Sequence, residues 1–309
     1  MKKEIIFRMA SPMRDEFKIK AFRFGSGAPT LAIVGAMRGD EIQQQYICSQ
    51  MVKSLKKLED EGEIVPGHEV MVIPNANHFS MNIEKRFWAM DSTDINRMFP
   101  GYDQGETTQR IAAALFEHIK GYAYGIQLAS FYIPGNFIPH IRLMETGYQP
   151  EAEGNLFGLP YIYVKAARPF DTTILNYNWQ IWGTKAFSLY SGKKQDVDED
   201  SAREACRAIL RFMNRMGIIT KPVRSGYTTT TIRDKDLVNI KADTAGLLFK
   251  IKDARQEVTK GDLMAQILDP YDGSVRMNVT APASGSVFFS HDKPLVLQNT
   301  LLYKIVEEN

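Results

Sequence analysis

Two short segments of the sequence carry side chains that could bind a metal ion or an anion. The first, Gly35 to Glu41, reads GAMRGDE and follows the apolar run TLAIV. A turn after a buried strand is a usual ligand position in α/β enzymes. Acidic side chains there suit a metal ion, but the guanidinium of Arg38 has no lone pair to offer one. The segment is therefore consistent with a metal site, a damaged one, or none.

The second segment, Arg86 to Gly101, reads RFWAMDSTDINRMFPG. Turn chemistry explains its proline and glycine but not its cluster of polar residues. An arginine grips a carboxylate with two hydrogen bonds, and a neighbouring amide adds another. We therefore predict that Asn96 and Arg97 hold an anionic group of a ligand. The alternative is that Arg97 pairs with Asp94 and that the loop is structural.

The elements that must position these segments alternate between strand and helix signals. Strand candidates are TLAIVGA, EVMVIP, GIQLAS and KAFSLYSG, and apolar residues recur at helical spacing from Ile42. Ser201 to Glu204, SARE, forms a capping box that predicts the start of another helix. The alternation predicts an α/β fold over residues 1–220, with a mostly parallel central sheet flanked by helices. In residues 221–309, β-branched segments and frequent turn signals predict a small all-β barrel.

Composition limits the class of protein. The 309 residues carry a net charge of +2 with 24% charged and 44% hydrophobic residues, which is ordinary for a globular protein. This balance favours neither a nucleic-acid partner nor a membrane surface. No apolar run approaches the ~20 residues of a membrane span, and the first residues lack an apolar signal region. We therefore expect a cytoplasmic protein.

Five segments carry a family resemblance: MRGDE, VIPNANHF, RFWAMDSTDINRMFPG, GETTQRIAAALFEHI and IPHIR. They resemble the succinylglutamate desuccinylase/aspartoacylase family, within the zinc carboxypeptidase-like clan. The tail, with AGLLFKI, VTKGDLMAQILDPYDG and TAPASGSVFF, resembles the small barrel, like a lipoyl or biotinyl domain, that follows the catalytic domain in many members. The resemblance implies a zinc-dependent amidohydrolase in which the metal activates a water and a glutamate takes its proton.

The family's zinc and catalytic positions are incomplete in this chain. The histidine of its His-Gly-Asp-Glu turn falls at Arg38, while the glutamate is kept as Glu41. The second zinc histidine falls at Ala129, which has no donor atom. The general-base glutamate falls at Tyr190, whose ordinary pKa of about 10 makes it a poor base at neutral pH. The resemblance therefore implies a degenerate member without the zinc histidines, and no residue is assigned as catalytic.

The family's substrate-binding positions, by contrast, are kept as Arg86, Asn96 and Arg97. We hypothesise that an ion pair between Arg38 and Glu41 takes the place of the metal. Together with the other arginines it would leave a basic pocket that needs no cofactor and holds a carboxylate. The weaker alternative is a zinc ion held by Glu41 with the loop residues His78 and His140. His291, in the all-β part, is expected to be exposed.

Three functions follow from this reading. The first is a non-catalytic relative that binds a small carboxylate-bearing molecule, such as an N-acyl amino acid, in the former active site. The second is an active zinc-dependent deacylase of an N-acyl amino acid, with a rebuilt metal site. The third is an assembly or scaffold protein with a vestigial pocket, whose barrel joins copies of the chain. The sequence leaves open whether the protein is an enzyme.

Overall fold

A large mixed sheet forms the centre of the computed structural model, which describes residues 1–308. Its strands are β1 (Lys2–Met9), β2 (Phe17–Gly25), β3 (Gly27–Ala36), β4 (Gly67–Asn75), β5 (Tyr124–Ala129), β7 (His140–Glu145), β8 (Tyr161–Ala166), β9 (Lys185–Tyr190) and β10 (Thr230–Ile232). Their order across the sheet is β1-β2-β4-β3-β5-β9-β7-β8-β10. Among these described strands, five of the eight neighbouring pairs run parallel. The predicted α/β fold is confirmed, with a sheet that mixes parallel and antiparallel pairs.

Helices cover both faces of this sheet. They are α1 (Ile42–Asp60), α2 (His78–Met81), α3 (Thr107–Ile119), α4 (Glu151–Gly154), α5 (Leu175–Ile181) and α6 (Glu199–Arg215). The apolar faces of α1 and α6 pack together in one core cluster against one side of the sheet. Those of α3 and α5 pack in a second cluster against the other side. Because both faces are covered, the central strands are buried, as the continuous apolar run of β3 predicts.

The start of α6 differs from the prediction. The helix begins at Glu199, two residues before the predicted capping box. Its N-cap is Asp198, whose carboxylate accepts hydrogen bonds from the backbone N–H of Ser201 at 3.0 Å and from its hydroxyl at 2.6 Å. An aspartate is as good a cap as a serine, so the earlier residue sets the boundary.

The C-terminal part consists of strands and turns. They are β11 (Leu237–Lys241), β12 (Gly246–Lys250), β13 (Glu257–Val258), β14 (Leu263–Leu268), β15 (Val275–Thr280), β16 (Gly285–His291), β17 (Leu295–Val296) and β18 (Leu301–Glu307). They form two sheets, with orders β11-β18-β16-β13 and β15-β14-β12-β17, around a separate apolar cluster. The closed barrel and its likeness to lipoyl domains stay predictions. His291 is buried, not exposed, because β16 runs through the interior of this part.

The two parts of the chain exchange strands. The short strand β6 (Gly135–Phe137), which precedes β7, pairs with β16 instead of with the large sheet. In return, β10 extends the large sheet beside β8. A core cluster that includes Phe137, Tyr163 and Phe288 joins the two parts. The predicted boundary at residue 221 stays a prediction, but the exchange brings β16 and β18 beside the ends of the central strands.

No helix within residues 1–308 is long and apolar enough to cross a membrane.

Candidate functional site

A cavity of about 880 Å³ opens where the central strands meet the C-terminal part. Its walls come from β5, β7, β8 and β9, from the loop after β3, and from β16 and β18. Seven lysine and arginine side chains and three aspartates line it: Arg38, Arg86, Arg97, Arg142, Lys165, Arg168, Lys304, Asp94, Asp171 and Asp234. The cavity is therefore strongly basic, although the whole chain is nearly neutral.

Arg38 lies at one end of this cavity between two carboxylates. Its Nη1 is 3.1 Å from Oε1 of Glu41, and its Nη2 is 2.9 Å from Oδ2 of Asp94. Its Nε also donates to Asp94, at 3.1 Å. Burial opposes the guanidinium charge, but the two carboxylates outweigh it and raise the pKa of Arg38 above its ordinary value. The hypothesised pair with Glu41 is present, with Asp94 as a second partner.

Glu41 is only 2% exposed, and both its oxygens are occupied. Oε2 accepts from the backbone N–H groups of Met37 and Arg38, at 2.9 and 3.0 Å. Oε1 accepts from Arg38 and from the hydroxyl of Ser130, at 2.5 Å. The carboxylate thus holds the turn after β3 against the end of β5. Its lone pairs are directed to these donors, which leaves none of its usual sites open for a further ligand.

The turn after β3 also fixes Arg86. Gly39 donates its backbone N–H to the carbonyl of Arg86 at 3.1 Å, and an added Cβ on Gly39 would lie 2.2 Å from the carbonyl oxygen of Lys85. Only glycine permits this approach. Burial and the nearby Arg38 lower the pKa of Arg86. Its Nη1 is buried, lies 3.5 Å from Asp40 and makes no hydrogen bond to any residue described.

Asn96 and Arg97 follow Asp94 on a 3-10 turn, Ile95–Arg97. Both line the cavity together with Arg86, so the structure brings the three predicted substrate-binding residues to the same cavity. Oδ1 of Asn96 accepts from the backbone N–H of Leu175 at 3.2 Å. Arg97 is 39% exposed along its side chain. The predicted alternative of an Arg97–Asp94 pair is not observed, because Asp94 binds Arg38 instead.

Arg97 has its own partners on the loop after β8. Its Nη1 donates to the carbonyl of Phe170 and lies 3.5 Å from Oδ1 of Asp171. Its guanidinium also lies over the ring of Phe170, 5.6 Å from the centroid. The exposed arginine is therefore held in place with its remaining N–H groups available to the cavity.

The remaining family positions lie on neighbouring strands of the cavity floor. Ala129 and Tyr190 are register partners at the ends of β5 and β9, and His140 opposes Tyr190 from β7. The imidazole of His140 stacks on the ring of Tyr190 at 5.0 Å, and its Nδ1 is 2.8 Å from the carbonyl of Ile138. Burial lowers the pKa of His140 to about 3, so the ring is neutral at neutral pH.

The zinc alternative does not fit these side chains. His78 is half-buried and stacks on the core residue Phe17 at 4.6 Å, and it does not line the cavity. Glu41 is saturated, and Ala129 offers no donor. Across the part of the chain that the structure describes, no three His, Cys, Asp or Glu side chains are grouped to hold a metal ion. Arg38 fills this end of the cavity with a permanent positive charge.

Sequence reasoning missed the opposite end of the cavity. Arg142 on β7 lies between the rings of Tyr163 and Tyr190, at 5.3 and 5.5 Å, and donates to the Tyr190 hydroxyl at 3.1 Å. Lys165 follows Tyr163 by two residues on β8 and so faces the same side. Lys304 reaches the cavity from β18. The alternation in YIYVKA could have indicated Lys165, but no sequence pattern indicated Lys304.

Comparison with known proteins supports the resemblance. Residues 27–128 match the model of the succinylglutamate desuccinylase/aspartoacylase catalytic domain. No curated protein matches the chain in sequence. Among solved structures, the succinylglutamate desuccinylase/aspartoacylase from Rhodobacter sphaeroides is 20% identical, with a TM-score of 0.80 over 99% of this chain and 95% of that one.

Two further structures are similar. The ectoine utilization protein EutE (DoeB) from Ruegeria pomeroyi is 19% identical, with a TM-score of 0.78 over 95% of this chain and 90% of its own. An aspartoacylase family protein from Mesorhizobium loti is 17% identical, with a TM-score of 0.77 over 100% of this chain and 95% of its own. At these identities the structures show a shared fold. The resemblance to the succinylglutamate desuccinylase/aspartoacylase family is confirmed, by sequence over residues 27–128 and by fold over nearly the whole chain.

Proposed function

We propose that this protein binds a small carboxylate-bearing molecule, such as an N-acyl amino acid, in a cavity that works without a metal ion. The observation that carries the proposal is the excess of positive charge on the cavity wall, seven lysine and arginine side chains against three aspartates. A cavity with such an excess attracts anions and holds them through charge-assisted hydrogen bonds.

Arg86, Asn96 and Arg97 would form the carboxylate-binding wall. The buried Nη1 of Arg86 lies 3.5 Å from Asp40 but makes no hydrogen bond to any described residue, and a guanidinium N–H without a hydrogen bond costs free energy that a ligand oxygen could recover. The partly exposed guanidinium of Arg97 would add further N–H donors to this wall. Arg38 supports the wall from behind by holding Glu41 and Asp94, and it supplies the fixed positive charge that a metal would otherwise bring.

Calorimetric titration of N-acetylglycine into the purified protein at low salt tests this function. N-acetylglycinamide is the matched control, since it replaces the carboxylate by a neutral amide of similar size. We expect the acid to bind at least about tenfold more tightly, and R97A to weaken binding of the acid by about tenfold, because a hydrogen bond to a charged group contributes about 1.5–3 kcal/mol.

The variant R8A, on the exposed strand β1, serves as a control that removes an arginine outside the cavity. Equal affinity for the acid and the amide, or unchanged affinity in both R86A and R97A, would contradict the proposal. Elemental analysis of the purified protein adds an independent check. About one tightly retained zinc per chain would overturn the metal-free reading of the cavity.

A further inference from the structure

Lys165 is the one lysine on the β8 wall of the cavity, and its amine has no partner within residues 1–308. The side chain is partly buried and lines the cavity, yet Nζ makes neither a hydrogen bond nor an ion pair there. Lysines this close to the interior of a protein usually pair with a carboxylate. A cavity-lining amine without such a partner is available to a ligand.

The charged groups that face Lys165 come from three elements. Arg142 on β7 and Arg168 on the loop after β8 repel its positive charge. Asp171 and Asp234 attract it, but both carboxylates are engaged elsewhere. Asp171 accepts from the backbone N–H of Arg168 at 3.3 Å and faces Arg97, and Asp234 accepts the hydroxyl proton of Tyr163.

Burial lowers the pKa of Lys165 to about 8, and repulsion from the positive charge of Arg142 is the second cause. Near neutral pH this side chain therefore holds an appreciable fraction of neutral amine, which is the nucleophilic form. The lysines on the protein surface do not share these surroundings. Lys185, for example, is exposed and paired with Glu153, which raises its pKa.

We propose that Lys165 is a nucleophile that forms a reversible imine with a small carbonyl compound bearing a carboxylate, the class of the α-keto acids. The carbonyl carbon would sit beside Nζ. The carboxylate would lie against the cationic side chains of Arg142 and Arg168, whose charges have no carboxylate partner among the residues described.

The step balances without an oxidant, a reductant or a cofactor. The lone pair of Nζ forms a bond to the carbonyl carbon as the carbonyl π bond opens, and the oxygen gains the proton that the nitrogen loses. The resulting hydroxyl group then leaves as water with the second amine proton, while the carbon–nitrogen double bond forms. Hydrolysis reverses the same steps and releases the carbonyl compound.

This inference uses the cavity of the proposed function but a different wall. Binding of N-acetylglycine tests the wall of Arg86, Asn96 and Arg97, whereas imine formation tests Lys165. The two can therefore fail separately. Loss of anion binding in R86A with unchanged labelling of Lys165 would separate them in one direction, and normal anion binding without labelling in the other.

Reductive trapping tests the inference on the full chain. The protein is incubated with pyruvate and sodium cyanoborohydride near pH 7.5, and peptide mass spectrometry measures the reduced adduct on each lysine. We expect Lys165 to be labelled about tenfold faster than Lys185, since its larger neutral fraction outweighs the lower nucleophilicity of a weaker base. The Lys165-to-Lys185 labelling ratio should fall as the pH rises above about 8, because the neutral fraction of Lys165 then stops rising while that of Lys185 continues to rise.

Methyl pyruvate is the matched control, because it presents the same ketone without the charge. The Lys165-to-Lys185 labelling ratio should fall with the ester. K165R keeps the positive charge, cannot form the imine, and should lose the adduct at this position, while K185R should leave Lys165 labelling unchanged. A ratio near one with pyruvate in the wild-type protein, or the same ratio with the ester, would overturn the inference.

Discussion

The two ends of the cavity contain similar side chains in opposite electrostatic states. At the end near β3, Arg38 is enclosed by Glu41 and Asp94, and all three groups satisfy one another. At the end near β8 and β18, Arg142, Lys165 and Lys304 line the wall without ion pairs to any described carboxylate. A neutralised charge holds the fold together, whereas an unneutralised one attracts a ligand. The ion pairs of Arg38 at the first end are therefore expected to govern stability, and the cations of the second end are expected to govern binding of the α-keto acids proposed above.

The largest effect is expected at the end near β3, which we call the closed end because Arg38 is enclosed there by Glu41 and Asp94. R38A leaves Glu41 and Asp94 buried without their shared cation, and removing one partner of a buried ion pair costs about 3–5 kcal/mol. We expect the free energy of unfolding, measured by urea denaturation, to fall by that amount. R8A removes an exposed arginine that pairs with Glu16 on the surface. This control should lose less than about 1 kcal/mol.

Equal losses in R38A and R8A would break the comparison, because the Arg38 network would then carry no more stability than a surface pair. The double variant R38A/D94N tests the same comparison more sharply. Neutralising Asp94 removes one of the two uncompensated charges, so it should restore part of the stability that R38A loses.

The second effect is expected at the end near β8 and β18, which we call the open end because its cations have no ion-pair partner among the described residues. R142M removes a cation that has no carboxylate partner, so it should change the free energy of unfolding by less than about 1 kcal/mol. Pyruvate affinity, measured by calorimetry in the K165R background where no imine forms, should fall by about tenfold or more. A large loss of stability with unchanged affinity would reverse the assigned roles of the two ends.

The third effect concerns the cavity floor between the two ends. The pKa of His140 is lowered from its ordinary value to about 3 in the folded protein, chiefly by burial. Between that pH and about 6.5 the unfolded chain binds a proton that the folded chain does not, so acid selectively stabilises the unfolded state. Stability should therefore fall as the pH drops below about 6.5, by up to about 1.4 kcal/mol per pH unit from this residue.

H140Q removes this contribution. Urea denaturation of wild type and variant at pH 7 and pH 5 should show a shallower dependence in the variant, whatever its stability at pH 7. Parallel pH dependences would show that water reaches His140 and that the cavity floor between the two ends is not dry. The burial that lowers the pKa of His78 remains in both proteins and cancels in the comparison.

Local sequence patterns predicted the closed end well. The apolar run before the turn predicted β3, and the helical spacing from Ile42 predicted α1. The three-residue separation of Arg38 and Glu41 at a helix start was enough to predict their ion pair. The alternative that paired Asp94 with Arg97 was wrong, because the partner of Asp94 is Arg38, which lies 56 residues away and which only the folded chain brings close.

The open end depends on tertiary structure that periodicity does not encode. Lys304 reaches the cavity only because β18 pairs with β16, and β16 in turn pairs with β6. His291 was expected to be exposed because it lies in the small all-β part, but β16 is buried along its whole length. Misassignments of this kind arise where a side chain's surroundings come from distant strands.

The exchange of β6 and β10 has a consequence for how the protein acquires its cavity. Part of the wall belongs to β18, Leu301–Glu307, near the end of the sequence. During synthesis from the N-terminus, the closed end can form once β3, α1 and β5 are available, long before the opposite wall has been translated. Binding of an α-keto acid at the open end is thus a property that the nascent chain acquires only when β18 has been translated and has folded.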